Sequence, residues 1–174
     1  MAGRRRPRAG RERGSRRRGG RRPLPAGRVD TSALRLTSVP DAGSLVRGLD
    51  AAAYAWEVLA ARSDDEAFRT DGNARAGELR RTSALLAART SGGDPREAAY
   101  DVGALLDADP VASAAAIEVD VATLWIAADL PAPARAVGLD AALEALLRAR
   151  ALAGVGPLDA PAAVLPGLPV DDGS

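Results

Sequence analysis

The stretch AAAIEVDVATLWIAA, residues 114–128, decides the fold class. Ile117, Val119 and Val121 alternate with Glu118 and Asp120, which is the period of a half-buried strand. Over a longer window Ala114, Ile117, Val121, Leu124, Trp125 and Ala128 recur at three- and four-residue steps, with Ala128 three beyond Trp125, which is the period of a helix with one apolar face. The Ala-rich flank and the lack of a second alternating segment to pair with decide for helix. Asp109-Pro110 supplies its start, a capping carboxylate followed by proline at the first helical position.

Working outward, the other segments read the same way. Ala42, Leu45, Val46, Leu49, Ala52, Ala53, Trp56, Leu59 and Ala60 form one helical stripe ending near Arg62, opened by the capping-box pattern Ser38-Val39-Pro40-Asp41. Ser63-Asp64-Asp65-Glu66 is a second capping box. It opens a helix carrying Ala76, Leu79, Thr82, Leu85 and Leu86, which Asp71-Gly72-Asn73 either breaks or leaves intact. Asp94-Pro95-Arg96-Glu97 predicts a further helix carrying Ala98, Ala99, Val102, Leu105 and Leu106. The last helix runs from Pro133 or Leu139 to Ala153, with Leu139, Leu143, Leu146 and Leu147 as its stripe and Gly154 as its stop. Residues 31–39, TSALRLTSV, are expected to be an extended lead-in or a short edge strand.

The expected fold is therefore all-α, a bundle of four to five amphipathic helices. Residues 1–28 form an Arg-rich disordered tail, 29–40 a lead-in, 41–153 the bundle and 154–174 a loose C-terminal tail. Of the hydrophobic residues 40 are alanine, so the core depends on Leu and Val being gathered on faces and on helices approaching closely.

The net charge of +1 hides two opposed segments. Residues 1–28 hold 12 Arg and one acid, Glu12; the remainder holds 12 Arg and 22 acids. The first segment has no apolar period and nothing to bury against its ordering entropy. Its arginines Arg4, Arg5, Arg6, Arg8, Arg16, Arg17, Arg18, Arg21 and Arg22 are candidate phosphate contacts for RNA or DNA. No aromatic residue stands among them for base stacking. The competing reading is an over-extended gene start in a GC-rich genome, with Val29 as a GUG initiator; peptide mapping of the native protein separates the two.

The residue inventory limits chemistry. There is no Cys, no His and no Lys. This removes thiol nucleophiles, imidazole bases, Schiff-base lysines and Cys-based metal sites. The Asp64-Asp65-Glu66 cluster superficially resembles the aspartate-rich motif of isoprenoid-handling helical enzymes, but the chain is too short for those folds and a first-turn dipole role is favoured. Asp101, Asp107, Asp109, Glu118, Asp120 and Asp129 read as a solvated acidic face or a docking surface for a basic partner. Arg75, Arg80, Arg81 and Arg89 read as a solvated face before a nucleic-acid face. Trp56 and Trp125 are expected in the core, and Tyr54 at a partner contact.

No stretch of 18 uncharged apolar residues is present, and a cytoplasmic protein is expected. The expected function is a non-enzymatic helical protein acting through protein–protein contacts, as an accessory or regulatory subunit or a homo-oligomer, with no catalytic residue, metal or cofactor. The alternative is a nucleic-acid-associated protein using the N-terminal arm. A small-molecule-binding or carboxylate-metal helical enzyme ranks third.

Overall fold

The computed structural model describes residues 29–36, 38–39, 41–103 and 108–154. The expectations for residues 1–28, for Leu105, Leu106 and Asp107, and for the tail beyond Gly154 fall outside them. The described residues form five α-helices and no strand: α1 Ser32–Leu36, α2 Gly43–Arg62, α3 Glu66–Ala87, α4 Pro110–Ala127 and α5 Ala132–Leu152.

Segment 114–127 is helical, with Ala128 as the C-cap. Its buried positions are Ser113, Ala114, Ile117, Glu118, Val121, Ala122 and Trp125, a continuous stripe at helical spacing. The strand-like alternation arises because Glu118 sits inside that stripe, with its charge turned toward the core. Asp109 caps α4 as expected, accepting from Val111 and Ala112 N–H at 3.0 and 2.8 Å.

α2 buries the whole predicted stripe from Leu45 to Ala60. It packs along α3 as one hairpin, and α4 packs along α5 as the other; α2 meets α4, and α1 lies on α5 and α3. Gly72 does not break α3. It is buried, and a Cβ there would lie 3.1 Å from Ala60 Cβ and 3.3 Å from the Trp56 ring, so the missing side chain lets the first hairpin close.

Five expectations need correction. The capping box at Ser63 is displaced: Asp65 is the cap, accepting from Ala67 and Phe68 N–H at 2.9 and 3.2 Å, and α3 starts at Glu66. The Ser38 box does not form either. Val39 is drawn into the core and its N–H donates to Arg89 O, so α2 begins later, at Gly43, without a side-chain cap.

The lead-in is a short helix, not an extended segment or edge strand. Asp30 accepts from Ser32 N–H at 2.9 Å, and the turn that follows buries Leu34 completely.

The helix expected from Asp94 is absent over the described residues. The Asp94 carboxylate takes the Arg96 guanidinium, which holds its pKa down to about 2. Glu97 N–H donates to the Tyr100 hydroxyl (3.1 Å), and that hydroxyl donates to Asp50 on α2 (3.0 Å). Arg47 of α2 reaches Pro95 O and Glu97, both at 3.3 Å. Contacts to α2 thus capture groups that a helix would need internally. Burial raises the Tyr100 pKa; the Glu97 N–H opposes this and the Asp50 contact reinforces it. Tyr54 packs against the Tyr100 ring (centroids 6.1 Å apart), half-buried, so its expected partner is a residue of its own chain.

In α5 the expected face holds only in part: Leu146 packs half-buried against the core and Leu147 is half-buried, but the first half of the stripe faces out. Ala134, Val137, Gly138, Ala141, Ala142, Ala145 and Ala149 are buried, while Leu139 and Leu143 are 58% and 55% exposed. A Cβ at Gly138 would lie 2.8 Å from Leu130 and 3.3 Å from the Trp125 ring. The small face wins because it allows an approach that leucines would hold apart. The helix ends at Leu152 and Gly154 has φ 70°, matching the expected stop.

The two Asp caps have a measurable consequence. Asp65→Ala and Asp109→Ala are each expected to cost about 1 kcal/mol, since each leaves two helix N–H groups without a side-chain acceptor. Urea unfolding followed by circular dichroism measures this. Loss of nothing at either site would mean that solvent replaces the cap fully.

Candidate functional site

The centre of the bundle is charged. Glu118 on α4 has no solvent exposure. Arg75 on α3 grips it in a two-pronged pair, Nε to Oε1 and Nη2 to Oε2, both 2.8 Å. The indole N–H of Trp56 on α2 donates to the same Oε1 at 2.9 Å. Three donors converge on one carboxylate that solvent does not reach, which makes it a structural anchor.

The charges continue outward. Arg75 Nη1 lies 3.4 Å from Glu78 and 3.8 Å from Glu144. Arg148 on α5 lies 3.0 Å from Glu144 and 3.4 Å from Glu78. Burial alone would pull the Arg75 pKa down, but the Glu118 pair, with Glu144 and Glu78 behind it, outweighs that and raises it. Among the described residues no buried side-chain polar atom lacks a hydrogen-bond partner.

A cavity of about 360 Å³ opens beside this network, within the range of small-molecule sites. Leu34, Leu49, Leu79, Trp125, Val137 and Ala141 supply its apolar wall. Arg75, Glu78 and Glu144 supply a charged wall, and Thr31, Thr82, Arg35 and Arg81 complete the lining. Arg35 and Arg81 are exposed residues, so they stand at the mouth.

The sequence candidates are dispersed. Of the four arginines proposed as one face, Arg75 is buried in the network, Arg80 pairs with Glu57 (2.6 Å), Arg89 donates to Leu34 O (2.8 Å) and Arg81 faces the cavity. They make no common surface. The acidic population divides likewise: Glu118 is core, Asp109 is a cap, Asp101 accepts from Gly103 N–H and Asp129 is almost fully exposed. The expected solvated face therefore excludes Glu118. No group of three or more acidic side chains among the described residues is placed to hold a metal ion. Trp56 and Trp125 are 1% and 5% exposed, in the core as expected.

Glu144 and Arg148, four residues apart on α5, went unremarked in the sequence, although that spacing is the i,i+4 signal for a pair. α4 is long and apolar enough to span a membrane by composition, with mean hydropathy 1.4, but its acids include the buried Glu118 and it packs against α2 and α5. No family model, no curated protein and no solved structure matches this chain.

Proposed function

We propose that this protein works by binding and not by catalysis, and that its partner is another copy of itself, joined through the outer face of α5. The observation that carries this reading is the exposure of Leu139 and Leu143, one helical turn apart, on the side of α5 away from its own core. Ile126, near the end of α4, is exposed to the same degree. An i,i+4 leucine pair is self-complementary across a two-fold axis, so one patch serves both copies. Two further facts support binding over chemistry. The chain has no Cys, His or Lys, and of the buried carboxylates Glu118 is ion-paired with Arg75 and Asp50 accepts from the Tyr100 hydroxyl.

The test is solution mass. Sedimentation of the full chain at rising concentration is expected to show a dimer or larger assembly. Leu139→Glu with Leu143→Glu should return it to monomer while the helical spectrum stays unchanged, because exposed positions tolerate such changes within about 0.5 kcal/mol. A monomeric wild type, or an assembly indifferent to both substitutions, overturns the reading.

A second reading rests on the 12 arginines of residues 1–28, which suit non-specific binding of nucleic-acid phosphates. Under it, RNA or DNA binding should weaken steeply with salt and vanish when those residues are deleted. Binding that survives the deletion would assign nucleic acid to the helical body, against its excess of acids.

A further inference from the structure

We propose that the cavity between α1, α3 and α5 binds a small amphipathic anion, a monocarboxylate with an apolar tail. This stands independently of the self-association reading, since Val137, Ala141 and Glu144 face the cavity from the side of α5 opposite to Leu139 and Leu143.

The argument is one of satisfied and unsatisfied charge. The acids of the wall are already served. Glu78 lies 3.4 Å from both Arg75 and Arg148, and Glu144 lies 3.0 Å from Arg148 and 3.8 Å from Arg75. Each is thus ion-paired to both arginines, through Oε2 of Glu78 and Oε1 of Glu144. The guanidiniums of Arg35 and Arg81, by contrast, have no hydrogen-bond or ion-pair partner among the described residues, and both border the cavity. Two unpaired planar cations at a mouth suit a carboxylate, whose two oxygens match the guanidinium fork. The hydroxyl of Thr31 adds a donor in the same lining, while that of Thr82 already donates to Glu78 O at 3.0 Å.

Below the mouth the surface changes character. Leu49, Leu79, Trp125, Val137 and Ala141, all buried, form a wall that accepts a hydrocarbon or aromatic tail, opposite the ion-paired wall of Arg75, Glu78 and Glu144. The order from outside inward, cation then apolar wall, is the inverse of an amphipathic anion. A phosphate or sulfate without a tail would meet only the mouth and leave the apolar wall wet. An alkylammonium would place its charge against Arg35 and Arg81.

The test titrates the full chain with octanoate, 1-octanol and octylammonium, reading heat and the fluorescence of Trp125 in the wall. Octanoate is expected to bind saturably and at least tenfold more tightly than octylammonium, with octanol between them. Arg35→Gln with Arg81→Gln changes two exposed residues and so leaves the fold intact. It should weaken octanoate at least tenfold, to the level of octanol, and leave octanol unchanged. Ala141→Phe should fill the cavity and abolish all three. Residues 1–28 carry the same 12 arginines in every variant, so differences between variants report the cavity alone.

Octylammonium binding as tightly as octanoate overturns the proposed anion selectivity. Octanoate affinity that survives the double Gln variant within twofold overturns the role of the mouth arginines. The absence of saturable octanoate binding overturns the site.

Discussion

Glu118→Ala is expected to destabilise the protein by roughly 3–5 kcal/mol, the scale for removing one partner of a buried ion pair. The substitution removes the acceptor of two Arg75 bonds and of the Trp56 indole at once, and Arg75 is itself buried. What is lost is less the attraction than the means of keeping a guanidinium out of water. The companion measurement separates these. Arg75→Met with Glu118→Leu removes both charges and should recover most of the loss, because a buried pair replaced by apolar groups is often neutral or better. Urea unfolding of the two proteins decides. A loss below about 1 kcal/mol for Glu118→Ala would mean that water enters and solvates Arg75.

Trp125→Ala is expected to cost a comparable amount, roughly 3–5 kcal/mol. The ring is 5% exposed and closes against Gly138 of α5, where no Cβ intervenes. The neighbouring alanines of α5 are too small to close the gap left behind. The void would merge with the existing cavity, so the cost is measured best without ligand. Trp56 remains as the fluorescent reporter of unfolding. A variant as stable as the parent would show that α4 and α5 draw together around the loss.

The fold class was legible wherever apolar periodicity ran through large side chains. The α2 stripe from Leu45 to Ala60 needed no other information. Asp109-Pro110 was legible because its cap is local: the atoms that satisfy the first turn lie two and three residues away. Asp94-Pro95 carries the same letters and fails because Arg96, two residues on, takes the carboxylate and because its other competitors are distant. Asp50 and Arg47, on α2, hold the segment in another shape, and no short window contains them.

The α5 face was misread for a related reason. Scoring by hydrophobicity favours Leu139 and Leu143, whereas the interface with α4 selects for smallness, through Gly138 and its alanines. The cavity was legible only in part. Trp125, Leu79 and Arg81 stand apart in the sequence, and what joins them to Arg35 is the helical turn at Ser32–Leu36, which the sequence presents as an extended lead-in or short edge strand. Glu118 was hidden most deeply, since a lone carboxylate in an acid-rich stretch gives no sign that an arginine 43 residues away will close on it.

Alanine-lined helices are smooth. Ala53 and Ala60 on α2, and Ala114 and Ala122 on α4, offer small steps against which a neighbour can slide. At these positions a slip of one helical turn, about 5.4 Å, would exchange one shallow contact for another, though it would also lift Leu124 off Gly48. The carboxylate of Glu118 forbids it. Displaced by one turn, it would lose the Trp56 and Arg75 donors together, and both ions would be stranded away from water. The carboxylate and the seat of Leu124 on Gly48 together set the vernier between the two hairpins, where the alanines alone would permit many alignments.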